Sequence, residues 1–301
     1  MPEMEASTEK KIKTIINRIH NLPTPPMVFT QVNKAINNPD TSAYQLGAII
    51  SEDPALTAKI LKLTNSAFYG IPRSITSVKQ AIIILGLDVV RSLVLSASVF
   101  ETFSKLYKLD KEYLDAFWRH SLSVGFMSRI ISRTKNFPSF LEAEESFSAG
   151  LLHDIGKLVI FTHMPSEFIT VKQIVKENPE QPICEIENEI YGFDHTLVGN
   201  YLAQKWNLPY ELAAAILYHH KPDDDKPDNI TTWIIHMSDY LSKISENDDS
   251  NFLPDSRYIY CSQKAWQVLG LRQDYEEQLI QLLRDEYMKA ETFINMARGE
   301  E

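Results

Sequence analysis

Residues 150–158 read GLLHDIGKL, an apolar approach that sets an imidazole and a carboxylate side by side at His153 and Asp154. Leu151, Leu152, Ile155 and Leu158 flank the pair inside what reads as one helical run from about residue 142 to 161. An ionised aspartate buried among leucines is costly unless a cation compensates it. A divalent metal ion does so, taking neutral imidazole nitrogen and carboxylate oxygen as borderline and hard ligands. Lys157 follows His153 by four residues and Asp154 by three, so it falls on the same helix face. There it can meet a phosphate oxygen or pair with an acidic neighbour.

Other polar residues interrupt apolar faces in the same way. His120 stands in FWRHSLSVG, where Phe117, Val124 and Met127 mark a buried face. His195 opens the run HTLVGNYLAQKW, His219 and His220 end AAAILYHHKP, and Asp239 lies within TTWIIHMSDYLSKI. Neighbouring residues on a helix point about 100° apart, so His219 and His220 suit two metals, or one metal and one outer role. His163 and His236 have no part in this set, although His236, three residues before Asp239 on the same face, is within reach of an outer contact; His20, just before LPTPP, reads as a surface residue or helix-end partner. Glu185, Glu187 and Glu189 read as a solvated acidic face. Cys184 and Cys261 are too few for a disulfide framework or a thiolate cluster. No Ser or Cys nucleophile motif and no glycine-rich phosphate loop competes with the metal chemistry. Nitrogen and oxygen donors without thiolate favour iron or manganese over nickel, zinc or magnesium.

The elements that must position these residues are helices. Ile12, Ile15, Ile16 and Ile19 repeat with helical spacing, and LPTPP at residues 22–26 ends that run. A second helix is expected over Met27 to Ile36, a third behind Ser42 as N-cap, and a fourth opened by Asp53-Pro54. The most apolar stretch, Ala81 to Leu95, carries Asp88 and Arg91 and reads as a buried helix rather than a membrane span. Later helices are expected near 111–134, 166–177, 182–191, 195–206, 209–219 and 230–244. A loop follows at 246–256, then one long helix over 273–297. The fold class is all-α: a helical metal-binding domain, residues 109–245, packed against an N-terminal helical subdomain, residues 1–108. Residues 246–301 form a C-terminal loop and helix.

The order His120, His153-Asp154, Asp239 resembles the H…HD…D ligand series of the HD superfamily of metal-dependent phosphohydrolases. With His195, His219 and His220 added, it is similar to the two-metal set of HD-GYP phosphodiesterases. That resemblance implies two divalent ions bridged by Asp154, with His195, His219 and His220 completing the second and Lys157 contacting phosphate. The runs LPTPPMVFTQVNKAINNPD, DPALTAKILKLTNSAFYG and SITSVKQAIIILGLDVVRSLVL resemble the HDOD (HD-related output domain) family, the likeness extending over about residues 15–245. It implies an all-helical protein of bacterial signal transduction. Many members of that family have lost most of the metal ligands, whereas this chain keeps the full series. HDIGK is followed by LVIFTHMP, with no GYP segment, and Ala116 stands where some three-metal relatives have Glu. Neither a third metal nor a cyclic dinucleotide is therefore implied. Two functions follow: a metal-dependent phosphohydrolase acting on a phosphoester or nucleotide, or a non-catalytic signalling module that meets a protein partner and whose metal is structural.

The formal charge of −10, from 30 Lys and Arg against 40 Asp and Glu, comes with no basic stripe. Nucleic acid is not an expected partner on that ground. A small phosphoester held by metal ions is not opposed by it, since a bound cation inverts the local potential. The polar opening MPEMEASTEKK and the lack of an apolar span give a cytoplasmic, non-membrane expectation.

Overall fold

The computed structural model describes residues 14–15, 18–19, 22–36, 38, 40–134, 140–225, 229–247 and 259–299. Among these, every regular element is helical. In chain order the α-helices are α1 (Met27–Ile36), α2 (Ala43–Ser51), α3 (Pro54–Thr64), α4 (Val78–Leu85), α5 (Leu87–Phe103), α6 (Lys111–Thr134), α7 (Phe140–Leu152) and α8 (Ile155–His163). They continue as α9 (Pro165–Glu177), α10 (Ile183–Tyr191), α11 (His195–Lys205), α12 (Tyr210–Tyr218), α13 (Ile230–Asn247), α14 (Gln263–Val268), α15 (Glu276–Tyr287) and α16 (Glu291–Ala297). The all-α expectation holds. No helix among the described residues is long and apolar enough to cross a membrane.

Local chemistry explains several starts. Ser42 accepts from the Gln45 amide while the Gln45 side chain accepts from the Ser42 amide, a reciprocal box that opens α2. Asp53 caps α3 through the Leu56 amide, with Pro54 in the first turn. The expected first helix and the 246–256 loop lie mostly outside the described residues, as does His20; Thr14, Ile15 and Arg18 are helical.

Three expected helices are each broken in two. The apolar run 81–95 divides at Gly86, whose φ of 93° is a left-handed value that ends α4 before α5 begins. Ile83 and Ile84, in the last turn of α4, are exposed. The C-terminal helix divides between Tyr287 and Glu291. That turn brings Phe293 onto Phe68, Phe126 and Phe147, with ring centroids 5.3, 5.9 and 5.8 Å away. The run 142–161 divides at the His153-Asp154 pair itself.

The chain forms two compact units. The first comprises Thr24–Leu151 with Arg272–Glu301, the second Met1–Pro23 with Leu152–Leu271. This division departs from the expected boundary at 108/109, because α6 packs on α15 and α16 within the first unit. Residues 259–271 and 272–299 likewise fall in different units. In the first unit, α1 packs on α2 and α5, and α3 on α5. Its buried aromatic cluster carries the Arg129 guanidinium 4.4 Å above the Phe68 ring, and Arg129 pairs with the buried Glu144. In the second unit, α11 is central, packing on both α8 and α12, and α13 follows against α12. The residues 14–23 belong here too: Arg18 pairs with Glu167 and donates to the Tyr191 carbonyl, and the Trp206 indole donates to the Pro23 carbonyl.

Candidate metal centre

In the second unit the His153-Asp154 pair forms the turn between α7 and α8, Asp154 occupying the N-cap position of α8 with φ −101° and ψ 8°. A short link lets both side chains face inward at one level, which a continuous helix would prevent by the rotation between neighbours. Gly156 explains how α11 comes so near. A Cβ there would stand 2.0 Å from the His195 carbonyl oxygen and 2.7 Å from the Gly199 amide nitrogen. Backbone thus meets backbone, and His195, in the first turn of α11, is carried to Asp154.

The contacts around Asp154 are ordered by oxygen. Its Oδ1 lies 3.1 Å from His195 Nε2 and 3.6 Å from His219 Nε2. Its Oδ2 lies 3.4 Å from His153 Nε2 and accepts from Lys157 Nζ at 2.7 Å. His153 Nε2 is in turn 3.9 Å from Asp239 Oδ1, and Lys243 Nζ donates to Asp239 Oδ2 at 2.7 Å. His220 Nε2 reaches His195 Nε2 at 3.3 Å. Ligand atoms of Asp154, His195, His219 and His220 all fall within 4.8 Å of one another. Six of the seven expected ligands, with Lys157, are therefore assembled in one unit. His120 stands half-buried on α6 in the first unit.

Hydrogen bonds made by the far ring nitrogens define what the near ones present. His219 Nδ1–H donates to the Ile216 carbonyl at 2.9 Å, so its buried Nε2 carries a lone pair. Burial, reinforced by the field of His153, depresses the His219 pKa to about 4 despite Asp154, leaving it neutral near pH 7. His220 is held well below its ordinary value, by burial first and His219 second. A neutral nitrogen lone pair beside a carboxylate oxygen repels it unless a cation stands with both. The donor set therefore fits a divalent ion. His195 shows the same demand from the other side. Burial opposes its charge, yet Glu187 and Asp154 outweigh burial and lift it to about 9, so without metal a proton occupies this place. Asp154 also resists burial, through Lys157 and His153, and sits well below the usual carboxylate range.

Glu187 is the residue the sequence reading misplaced. It is 3% exposed, and one oxygen accepts both the His195 amide at 2.9 Å and His195 Nδ1–H at 2.6 Å. A carboxylate behind a ligating imidazole sets its tautomer and raises its basicity. His236 reaches the backbone behind His219: Nε2 accepts from the Ser262 amide at 2.9 Å, so Nδ1–H donates to the His219 carbonyl at 2.7 Å. His163 Nδ1 hydrogen-bonds the Val159 carbonyl within α8 at 2.9 Å. Cys184 lies beside Glu187 and His195, but burial and then Glu187 push its thiol well above the ordinary value, so it stays protonated.

The HDOD domain family matches residues 22–222. An uncharacterised protein of Treponema pallidum is 26% identical over 229 residues, covering 75% of this chain and 43% of that protein. Ribonuclease Y of Geobacter sulfurreducens is 26% identical over 135 residues, covering 45% of this chain and 19% of its own length. The chain spans less than half the length of these curated relatives. Among solved structures, an HDOD domain protein of unknown function from Geobacter sulfurreducens superposes with a TM-score of 0.77 at 23% identity, over 97% of this chain and 98% of that one. A candidate phosphohydrolase from Shewanella amazonensis SB2B gives 0.73 at 22% identity, over 94% and 98%. Both share the fold.

Proposed function

Because the chain belongs to the HDOD family, we propose that it is a signal-transduction protein whose His/Asp cluster holds two divalent ions and hydrolyses a phosphoester. One observation carries this reading: Asp154 turns Oδ1 toward His195 and His219 and Oδ2 toward His153, so a single carboxylate serves two groups of donors. His153 and Asp239 would hold one ion, and His195, His219 and His220 the other. Bound there, divalent ions supply Lewis acidity toward a phosphoryl group and toward the attacking water. Iron or manganese suits a set of nitrogens and oxygens without thiolate.

The chain's own residues do the rest. Glu187 keeps Nδ1 of His195 protonated, so that Nε2 is the donor. His236 braces the backbone that carries His219. Lys157, which donates to Asp154 Oδ2, would contact a phosphate oxygen of the substrate. The substrate class is a small phosphoester or nucleotide, since a net charge of −10 without a basic stripe opposes a long nucleic acid. Ribonucleic acid is included among the substrates to test because ribonuclease Y is a relative over part of the chain.

A second reading has its own observation. Lys157 and Lys243 already neutralise Asp154 and Asp239, as a module that signals by binding a protein, with a structural metal or none, would need. Metal analysis of the purified protein, with phosphomonoester, phosphodiester, nucleotide and short oligoribonucleotide substrates under added manganese or iron, separates the two. The hydrolase reading expects about two ions per chain and turnover of at least one class. Metal without turnover favours the signalling module. Unchanged metal content in a His153→Ala/Asp154→Ala variant would refute the site.

A further inference from the structure

Lys243 was not among the residues singled out by motif, yet its position matches that of Lys157. Each lysine lies on the same helical segment as an aspartate of the cluster and donates to that aspartate's Oδ2 at 2.7 Å. Asp154 Oδ1 is left toward His195 and His219, and Asp239 Oδ1 toward His153. The two lysines differ in exposure. Lys157 is closed in, with 6% of its side chain exposed, whereas Lys243 retains 15%. His153, His195 and His219 are fully buried, and only His220 among the second unit's ligands is half-buried. His220 and Lys243 thus keep partial exposure where the other imidazoles and Lys157 keep almost none.

We propose that Lys243 is a phosphate-binding residue at the mouth of the centre, and that with Lys157 it tunes the site to a dianionic phosphoryl group over a diester monoanion. The inference rests on the metal-centre reading above. Without metal, two ammonium groups balance two carboxylates. When divalent ions take those carboxylates, each lysine faces a cation across a shared ligand and gains by turning to an anion. Lys243 is free to do so, because a lysine is a compact charge on a flexible four-carbon stem and this one is partly solvated. Two dications beside two ammonium groups leave a surplus positive charge. A group with two negative charges, such as a phosphate monoester or the terminal phosphate of a nucleotide, offsets more of it than a diester with one.

The test is calorimetric and needs no turnover. The manganese-loaded full chain is titrated with inorganic phosphate and with dimethyl phosphate, and metal content is measured in parallel. Wild type is expected to bind phosphate about tenfold more tightly than dimethyl phosphate. Lys243→Gln should lose about tenfold for phosphate and little for dimethyl phosphate, and Lys243→Arg should restore most of the loss. Equal affinity for the two anions in wild type overturns the proposal, and so does a Lys243→Gln protein that binds phosphate as wild type does. Loss of manganese from Lys243→Gln also overturns it, because the lysine would then serve only to orient Asp239. Failure of the wild type to take up manganese is a separate result, which removes the metal-centre reading and this inference with it.

Discussion

Gly156→Ala should uncouple α8 from α11, and with it Asp154 from His195. The added methyl would lie 2.0 Å from the His195 carbonyl oxygen, 2.7 Å from the Gly199 nitrogen and 2.9 Å from the His195 carbonyl carbon, whereas real Cβ contacts essentially never fall under 3.0 Å. All three neighbours are backbone, so no rotamer relieves the clash. The helices must part by about 1 Å at this point, at a cost at or above the usual overpacking range of about 1–3 kcal/mol. At roughly 2–4 °C per kcal/mol for a chain of this size, the melting temperature should fall by on the order of 10 °C. His195 moves with α11, and its Nε2 starts only 3.1 Å from Asp154. Manganese affinity should therefore fall as well. Thermal melts with and without manganese read both effects. Gly199→Ala is the milder comparison across the same contact: the nearest backbone atom to its Cβ, the Gly156 nitrogen, is 3.3 Å away, and only the buried Ile216 Cγ2 methyl at 2.7 Å must shift. A Gly156→Ala protein that melts within about 2 °C of wild type and keeps its metal would refute the backbone-contact argument.

Glu187→Gln keeps a hydrogen-bonding group behind His195 but removes the charge that raises its basicity. Metal affinity should fall by about 10–100-fold, read by competition with a chelator, and unchanged affinity would deny Glu187 its supporting role. In the metal-free protein, His219 is depressed from 6.5 to about 4, so the stability it contributes is present above pH 6.5 and lost as pH falls toward 4. His195 is raised from 6.5 to about 9, so its contribution is complete below pH 6.5 and lost as pH rises through 9. Denaturant melts across that range should place the stability maximum of the metal-free protein near pH 6.5. A maximum near pH 9 would contradict the His195 environment.

The candidate ligands were legible because each is a polar residue in a segment whose periodicity demands an apolar one: His195 before Leu197 and Val198, His219 after Ala215 and Ile216, Asp239 before Leu241. Helix positions followed from the same periodicity, and α1 matches its expected limits. The break at His153-Asp154 was hidden because the apolar pattern runs through it undisturbed from Leu151 to Leu158. It shows only in the tertiary contact that Gly156 permits. Glu187 was hidden by its neighbours, since Glu185 and Glu189 are exposed and the three alternate in ICEIENEIY. A signal did exist: Glu187 follows the buried Ile186 and is four residues from the buried Tyr191, on a face that has to meet something. Lys243 resembles any lysine on the flank of a helix, and only its ion pair with Asp239 distinguishes it.

The two units are threaded through one another in sequence, each made of two stretches separated by the other. During synthesis the residues up to Leu151 emerge first, yet α15 and α16, which pack on α6 and α5, are encoded after every residue of the second unit. The second unit in turn draws Arg18 and Pro23 from the start of the chain onto Glu167 and Trp206. Neither core closes in the order in which the ribosome delivers it, so such a chain completes its folding late and depends on long-range closure. The same threading makes excision hazardous. A fragment cut at residue 222, where the family match ends, would discard α13 with Asp239, His236 and Lys243, and would strip the first unit of its last two helices.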